Sequence, residues 1–160
     1  MLAPMQGGIS WGLIAILAAA LVVAAVSDWR SRTIKNELNI AIALLAIPFW
    51  FVSGLAIWPD MAMQIGVAAL VFGLFAIAFR FGAMGGGDVK LVAAIALWLP
   101  PGAVLKLLVI MSLAGGLLTL AMVIRHRLSK PGGELEIPYG IAIAFAGFWL
   151  ISERFLNQFS

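Results

Sequence analysis

The chain has 160 residues, of which 64% are hydrophobic and 11% charged, whereas soluble domains carry roughly 25% charged residues. This composition excludes an ordinary soluble fold and predicts one polytopic membrane domain covering residues 1–160. The formal net charge is +3, and the Lys and Arg residues lie in short breaks between apolar runs. The sequence has no basic tail or patch, so it does not predict binding to nucleic acid. Cysteine is absent, which excludes disulfides, thiolate metal sites and cysteine proteases.

Six apolar stretches separated by charges, proline or glycine predict an all-α membrane protein with about six transmembrane helices. A spanning helix needs about 20 residues, and the fourth stretch is too short to cross unaided. We expect it to be a half-helix, a helix lengthened through the preceding glycines, or a helix lying at the interface. Trp98, like other tryptophans near helix ends, is expected in an interfacial belt. The stretches are Ile9–Val26, Leu38–Ile57, Met61–Phe79, Leu91–Leu99, Ala103–Ile124 and Ile137–Ile151.

The basic residues predict the orientation, because connections rich in Lys and Arg stay in the cytoplasm. Eight of the ten lie in alternate connections, and only Lys106 and Arg154 lie on the opposite side. Both termini are therefore expected outside the cytoplasm. The eight are Arg30, Arg32, Lys35, Arg80, Lys90, Arg125, Arg127 and Lys130.

If the chain is an enzyme, its carboxylates must carry the chemistry. Its one histidine, His126, lies among basic residues, and the sequence contains neither HExxH nor a cluster with metal-ligand spacing. Of the seven carboxylates, only Asp28 and Asp88 stand directly at a membrane boundary beside apolar sequence, both on the side predicted to be cytoplasmic. The others are expected in loops or at helix ends: Glu37, Asp60, Glu134, Glu136 and Glu153.

Each of these two aspartates also has a purely structural interpretation. Asp88 follows the segment Gly82–Gly87, whose four glycines leave the backbone open to close approach, but it could simply cap the fourth helix. Asp28 stands at the end of the first helix, where an acid opposes the helix dipole, but it could form a salt bridge to Arg30 or Arg32.

Two carboxylates held close together share one proton, because both cannot ionise cheaply. The ionised group can then activate a water, while the protonated group donates a hydrogen bond to a peptide carbonyl. The helix dipoles favour ionised Asp88 as the base and protonated Asp28 as the acid, although such a pair titrates as a unit. The sequence therefore favours peptide hydrolysis by a pair of aspartates.

These residues resemble a known family. Gly85-Gly86-Gly87-Asp88 matches the G-x-G-D signature of polytopic aspartic proteases, and Asp88-Val89-Lys90-Leu91 continues it as in prepilin peptidases. The segment from Asp28 to Asn36 resembles their second motif, and Ile137-Pro138-Tyr139-Gly140 is similar to the start of their last helix. Order, spacing and predicted topology agree over nearly the whole chain.

The resemblance implies a type 4 prepilin peptidase, an aspartic endopeptidase that removes a short basic leader at the cytoplasmic face of the bacterial inner membrane. It implies Asp28 and Asp88 as the catalytic pair, a prepilin substrate and lipid as partners, and no metal or organic cofactor. Pro138-Tyr139-Gly140 is expected to shape the last helix rather than to act in catalysis. The residues implied to shape the site are Gly85, Gly87, Lys90 and Asn36.

Two departures from the family pattern refine this expectation. Lys35 replaces the usual proline, so a looser turn into the second helix is expected. The chain also has no counterpart of the cysteine-containing domain of members that methylate the new N-terminus. It resembles the small members that lack the methylase and serve Flp-type, or tight-adherence, pili.

Three other functions fit parts of the sequence. A small ion-coupled transporter could use Asp88 and the glycine-broken fourth helix as an ion site, although no inverted repeat is apparent between the two halves. A protease of the presenilin kind would place an aspartate inside a longer apolar run. A catalytically silent scaffold would tolerate asparagine at both aspartate positions.

Overall fold

The computed structural model describes residues 8–129 and 137–156. Within these residues the chain forms six α-helices, and a π-helical turn, Ile57–Met61, leads into the third. The helices follow the six predicted apolar stretches in order, which confirms the all-α prediction. They are α1 (Gly8–Ser31), α2 (Asn36–Val52), α3 (Ala62–Arg80), α4 (Gly86–Ala96), α5 (Pro101–Ser129) and α6 (Tyr139–Leu156).

The surface of the helices requires an apolar solvent. Three segments of the described chain are long and apolar enough to cross a membrane: Gly8–Ser31, Ile57–Arg80 and Pro101–Leu128. Large hydrophobic side chains such as Leu70 on α3 and Leu117 on α5 point outward and are well exposed, as expected for surfaces that lipid covers. The protein is therefore a membrane protein whose described residues form helices without strands. Six membrane crossings and external termini stay predictions.

α4 is the irregular helix that the sequence predicted. Its 11 residues make it about 16 Å long, roughly half the ~30 Å thickness of the apolar part of a bilayer. It begins inside the glycine run at Gly86, and most of its side chains are buried against α2, α3 and α6. This burial excludes a helix lying at the interface. α4 is a short helix that packs against α2, α3 and α6.

Two tryptophans join α2 to the C-terminal end of α4. Nε1 of Trp50 donates to the Leu97 carbonyl oxygen at 2.7 Å, and Nε1 of Trp98 donates to the Ile42 carbonyl oxygen at 2.9 Å. The Trp98 ring also packs against Phe49, with the ring centroids 4.8 Å apart. Trp98 is buried, so its predicted place in an interfacial belt is wrong. Its indole N–H instead donates a hydrogen bond to the buried Ile42 carbonyl oxygen.

Each end of the helix bundle has its own charged or polar contact. At one end, Nζ of Lys90 on α4 donates to Oδ1 of Asn36 on α2 at 2.7 Å. At the other end, Lys106 at the start of α5 forms a salt bridge of 3.1 Å with Glu153 near the end of α6. Gly140 at the start of α6 lies against Asp28 at the end of α1, so the C-terminal end of α1 and the N-terminal ends of α2, α4 and α6 meet at the Lys90 end of the bundle.

We predict that Trp50→Phe lowers the free energy of unfolding by about 1–3 kcal/mol, because it leaves the Leu97 carbonyl unpaired in an apolar environment. Thermal unfolding of the protein in detergent measures the change. Trp58→Phe is the control, since Trp58 is 81% exposed, and it is expected to change stability by less than about 0.5 kcal/mol. Equal stability of Trp50→Phe and the unsubstituted protein would contradict the role of this hydrogen bond.

Candidate active site

Asp28 lies on the last turn of α1, where the helix is about to end. Arg32 has a positive φ of 53°, and its amide donates to the Asp28 carbonyl oxygen at 3.0 Å, which closes the helix in the left-handed conformation common at C-termini. Ser27 secures the turn that follows, since its Oγ donates to the Thr33 carbonyl oxygen at 2.7 Å. This geometry leaves the Asp28 side chain buried and directed at the start of α6.

Asp88 lies in the first turn of α4, but it is not the N-cap. The N-cap is Gly85, and Asp88 is the third helical residue, with its carboxylate turned back towards the Gly85 backbone. A Cβ atom at position 85 would lie 2.9 Å from Oδ2 of Asp88, which is closer than real Cβ contacts allow. The structural interpretation, in which Asp88 caps the fourth helix, is therefore wrong: Asp88 lies inside the first turn and presents a buried carboxylate beside an open backbone.

Asp28 and Asp88 line one open cavity of about 470 Å³ at this end of the bundle. Its wall also includes Arg32, the segment 82–85, Ile137 and Tyr139, so α1, α4 and α6 all contribute. We call it the dyad cavity. The two carboxylates are close enough for the charge of Asp28 to act on Asp88.

The other described carboxylates lie elsewhere. Oδ2 of Asp60 accepts a hydrogen bond from the Ala56 amide at 3.1 Å, and Glu153 pairs with Lys106. Glu37 is in the exposed first turn of α2. Glu134 and Glu136 fall outside the described residues, as do Lys130 and the Pro131–Gly133 segment.

Asp28 has no ion-pair partner in the described part of the chain. Arg32 lines the dyad cavity and lies over the Trp29 ring at 5.8 Å, without forming the salt bridge that the structural interpretation required. The backbone amides of Gly140 and Ile141 interact with the Asp28 carboxylate, but Oδ2 has no regular hydrogen-bond partner among the described residues. A buried carboxylate oxygen without a partner is costly, and such atoms occur at functional sites.

Asp88 is buried in the first turn of α4, which is not among the three segments long and apolar enough to cross a membrane. Burial first, and then the nearby charge of Asp28, raise the pKa of Asp88 to about 7, while the Gly85 backbone opposes the rise. The sequence-based expectation was that the N-terminus of α4 favours ionised Asp88. Burial and the second carboxylate outweigh that dipole, so Asp88 holds a proton up to neutral pH.

The four residues expected to shape the site lie around the carboxylates. Gly85 accommodates the Asp88 carboxylate, and Lys90 binds Asn36, which ties the start of α4 to the start of α2. Gly87 faces the α1–α2 connection: a Cβ atom there would lie 3.1 Å from the Ile34 carbonyl oxygen. Their contribution to catalysis stays a prediction.

Asn39 is a site-shaping residue that the sequence analysis missed. It is 4% exposed, and its Nδ2 donates to the Gly87 carbonyl oxygen at 3.1 Å, which anchors the glycine segment just before Asp88. Asn39 is the one side-chain amide in the hydrophobic stretch Leu38–Ile57, and this could have marked it in the sequence. Tyr139 was assigned to the shape of the last helix, but its side chain also lines the dyad cavity.

A model of the type IV leader peptidase family matches residues 15–120. The chain belongs to the type IV leader peptidase family. The matched region covers both aspartates and the glycine segment of this leader peptidase, and it ends before α6. No curated protein and no solved structure matches the chain.

We predict that the carboxyl group of Asp88 loses its proton only as the pH rises through about 7, because its pKa is raised to that value. Infrared titration of the purified protein in detergent detects the carbonyl stretch of the protonated acid. Asp88→Asn should remove the band that persists to neutral pH. Asp28→Asn should move its titration to lower pH, since one of the causes of the raised pKa is then gone.

Glu153→Gln is the matched control for this titration, because Glu153 pairs with Lys106 away from the dyad cavity. It should leave the band unchanged. A protein whose carboxylic acid bands all disappear near pH 4, the ordinary range of aspartate, would contradict the raised pKa of Asp88.

Proposed function

We propose that this leader peptidase is an aspartic endopeptidase that removes the short basic leader from type 4 prepilins of the Flp type. Asp28 and Asp88 are the catalytic pair. The observation that carries the proposal is that two buried carboxylates, from α1 and α4, line one open cavity in a chain of this family. Family membership favours peptide hydrolysis over the ion-coupled transporter that the glycine segment also allowed.

The two carboxylates supply an acid and a base at neutral pH. The raised pKa of Asp88 supports a pair that shares one proton near neutral pH, and in this proposal Asp88 is the initial proton donor and Asp28 the base. The Asp28 carboxylate takes a proton from a water molecule, whose oxygen attacks the scissile carbonyl carbon. Asp88 gives its proton to the carbonyl oxygen as the tetrahedral intermediate forms. These roles are the reverse of those that the helix dipoles favoured.

Collapse of the intermediate returns the site to its starting state. The C–N bond breaks as the leaving nitrogen receives the proton that Asp28 took from water. One hydroxyl of the intermediate re-forms a carbonyl and returns its proton to Asp88. One water is consumed, one peptide bond is broken, and the pair again holds a single proton.

The charge distribution supports cleavage at the cytoplasmic face of the inner membrane. Arg30, Arg32, Arg80 and Lys90 all lie on segments that meet around the dyad cavity, whereas Lys106 lies at the other end of the bundle. By the positive-inside rule the dyad end is cytoplasmic and both termini are external. The apolar segment of the precursor then remains in the bilayer while its leader approaches from the cytoplasm.

We predict that Asp28→Asn and Asp88→Asn each reduce leader removal by at least about 100-fold, since each removes one partner in proton transfer. The purified protein is reconstituted into lipid vesicles with an Flp-type prepilin, and loss of the leader is followed on a gel. Asp60→Asn is the control, because Asp60 lies in the turn before α3 away from the dyad cavity, and it should process at the normal rate. Normal processing by either of the first two variants, at equal membrane abundance, would overturn the proposal.

A further inference from the structure

The backbone of α6 touches the Asp28 carboxylate at Gly140. A Cβ atom at this position would lie 2.8 Å from Oδ2 of Asp28 and 2.6 Å from Cδ1 of Ile34, both closer than real Cβ contacts allow. The amides of Gly140 and Ile141 interact with the same carboxylate. Only glycine allows the start of α6 to come this close to Asp28.

Ile34 fills the space between the starts of α6 and α4. It is 4% exposed, and it lies in the short connection between α1 and α2. Its Cδ1 faces Gly140, while its backbone and Cβ face Gly87, where an added Cβ atom would lie 3.2 Å from the Cβ of Ile34. The β-branched side chain of Ile34 is thus held between two glycines. Gly140 lies against the Asp28 carboxylate, and Gly87 directly precedes Asp88 in the chain.

This arrangement fixes the position of one carboxylate relative to the other. A β-branched side chain has few rotamers, and a close-packed interior yields little when its volume changes. On the α4 side, the hydrogen bond from Asn39 to the Gly87 carbonyl oxygen holds the glycine segment in place. The gap between α4 and α6 is therefore set by the size of Ile34 and by the absence of side chains at positions 87 and 140.

We propose that Ile34 and Gly140 are positioning residues of the peptidase. Ile34 acts as a spacer that sets the separation of Asp28 from Asp88, and Gly140 seats the Asp28 carboxylate against the start of α6. This inference rests on the proposed function, because it assigns the two residues a role in the same cleavage reaction. Neither residue touches the substrate in this account.

The two glycines beside Ile34 differ in what a methyl group would displace. At position 87 it would meet the backbone of Ile34, which cannot rotate away, so the fold itself would suffer. At position 140 it would meet only side-chain atoms, Cδ1 of Ile34 and the carboxylate of Asp28, so the carboxylate can shift while the backbone stays in place. Alanine is also the better helix former. Gly140→Ala is therefore expected to fold and to displace the carboxylate, which separates positioning from stability.

The test measures kcat and KM for leader removal in lipid vesicles, per folded enzyme. Gly140→Ala and Ile34→Ala should each lower kcat by about 100-fold with KM unchanged, as expected for a reacting group misplaced by about 1 Å. Ile34→Val keeps the β-branch that faces Gly87 and should stay within about threefold of normal kcat. The double variant Ile34→Val/Gly140→Ala should remain as slow as Gly140→Ala, because the contact with Asp28 persists.

Two control variants make the same chemical changes away from the dyad. Gly116→Ala on α5 adds a methyl group where nothing lies within 4 Å, and Ile42→Ala truncates a fully buried isoleucine of α2. Both should keep a normal kcat per folded enzyme, even though Ile42→Ala lowers stability.

The outcomes distinguish this inference from the proposed function. A protein without substitutions that removes no leader would overturn the proposed function, and this inference with it. An active protein whose Gly140→Ala and Ile34→Ala variants keep kcat would overturn the inference alone. The inference would also be overturned if Ile42→Ala loses as much kcat as Ile34→Ala, or if the two positioning variants raise KM and leave kcat unchanged.

Discussion

Two carboxylates buried in one cavity repel each other when both are ionised, and apolar surroundings make even one charge costly. The molecule meets this constraint by placing both groups at helix ends, where backbone amides are free to face them. Asp88 faces the Gly85 backbone at the start of α4, and Asp28 faces the start of α6. The burial that makes the pair costly is also what raises the pKa of Asp88 to about 7, so that the pair can share a proton near neutral pH, as the proposed peptide hydrolysis uses.

The short length of α4 follows from the same constraint. The 11 residues of α4 start at the dyad cavity and end next to Trp98, which is buried in the protein. Its C-terminal carbonyls then have no water to bind. The Trp50 indole N–H donates a hydrogen bond to the Leu97 carbonyl oxygen, and the Trp98 indole N–H donates one to the Ile42 carbonyl oxygen of α2. A rigid end away from the dyad and a glycine-rich end at the dyad together hold Asp88 in one place.

Much of this architecture could be read from the sequence, because lipid imposes simple rules on it. Continuous apolar stretches gave the order of the helices, and the charges between them placed Asp28 and Asp88 at one end of the bundle. Contacts between distant segments could not be read in this way. The packing of Ile34 between Gly87 and Gly140 joins three separate parts of the chain, and no local pattern marks it. Trp98 was misplaced for a related reason: its partner, the Ile42 carbonyl, is 56 residues away.

The claim on which the account depends is that Asp28 and Asp88 meet in the folded protein. Because the chain has no cysteine, an Asp28→Cys/Asp88→Cys variant contains a single pair of thiols. A short bifunctional thiol reagent applied to membranes should link the two positions, as identified by mass spectrometry of the linked peptides. Asn36→Cys/Lys90→Cys, whose native side chains are 2.7 Å apart, should link as well, and Asp28→Cys/Asp60→Cys should not. Failure of the 28–88 pair to link, under conditions in which the 36–90 pair links, would contradict the account.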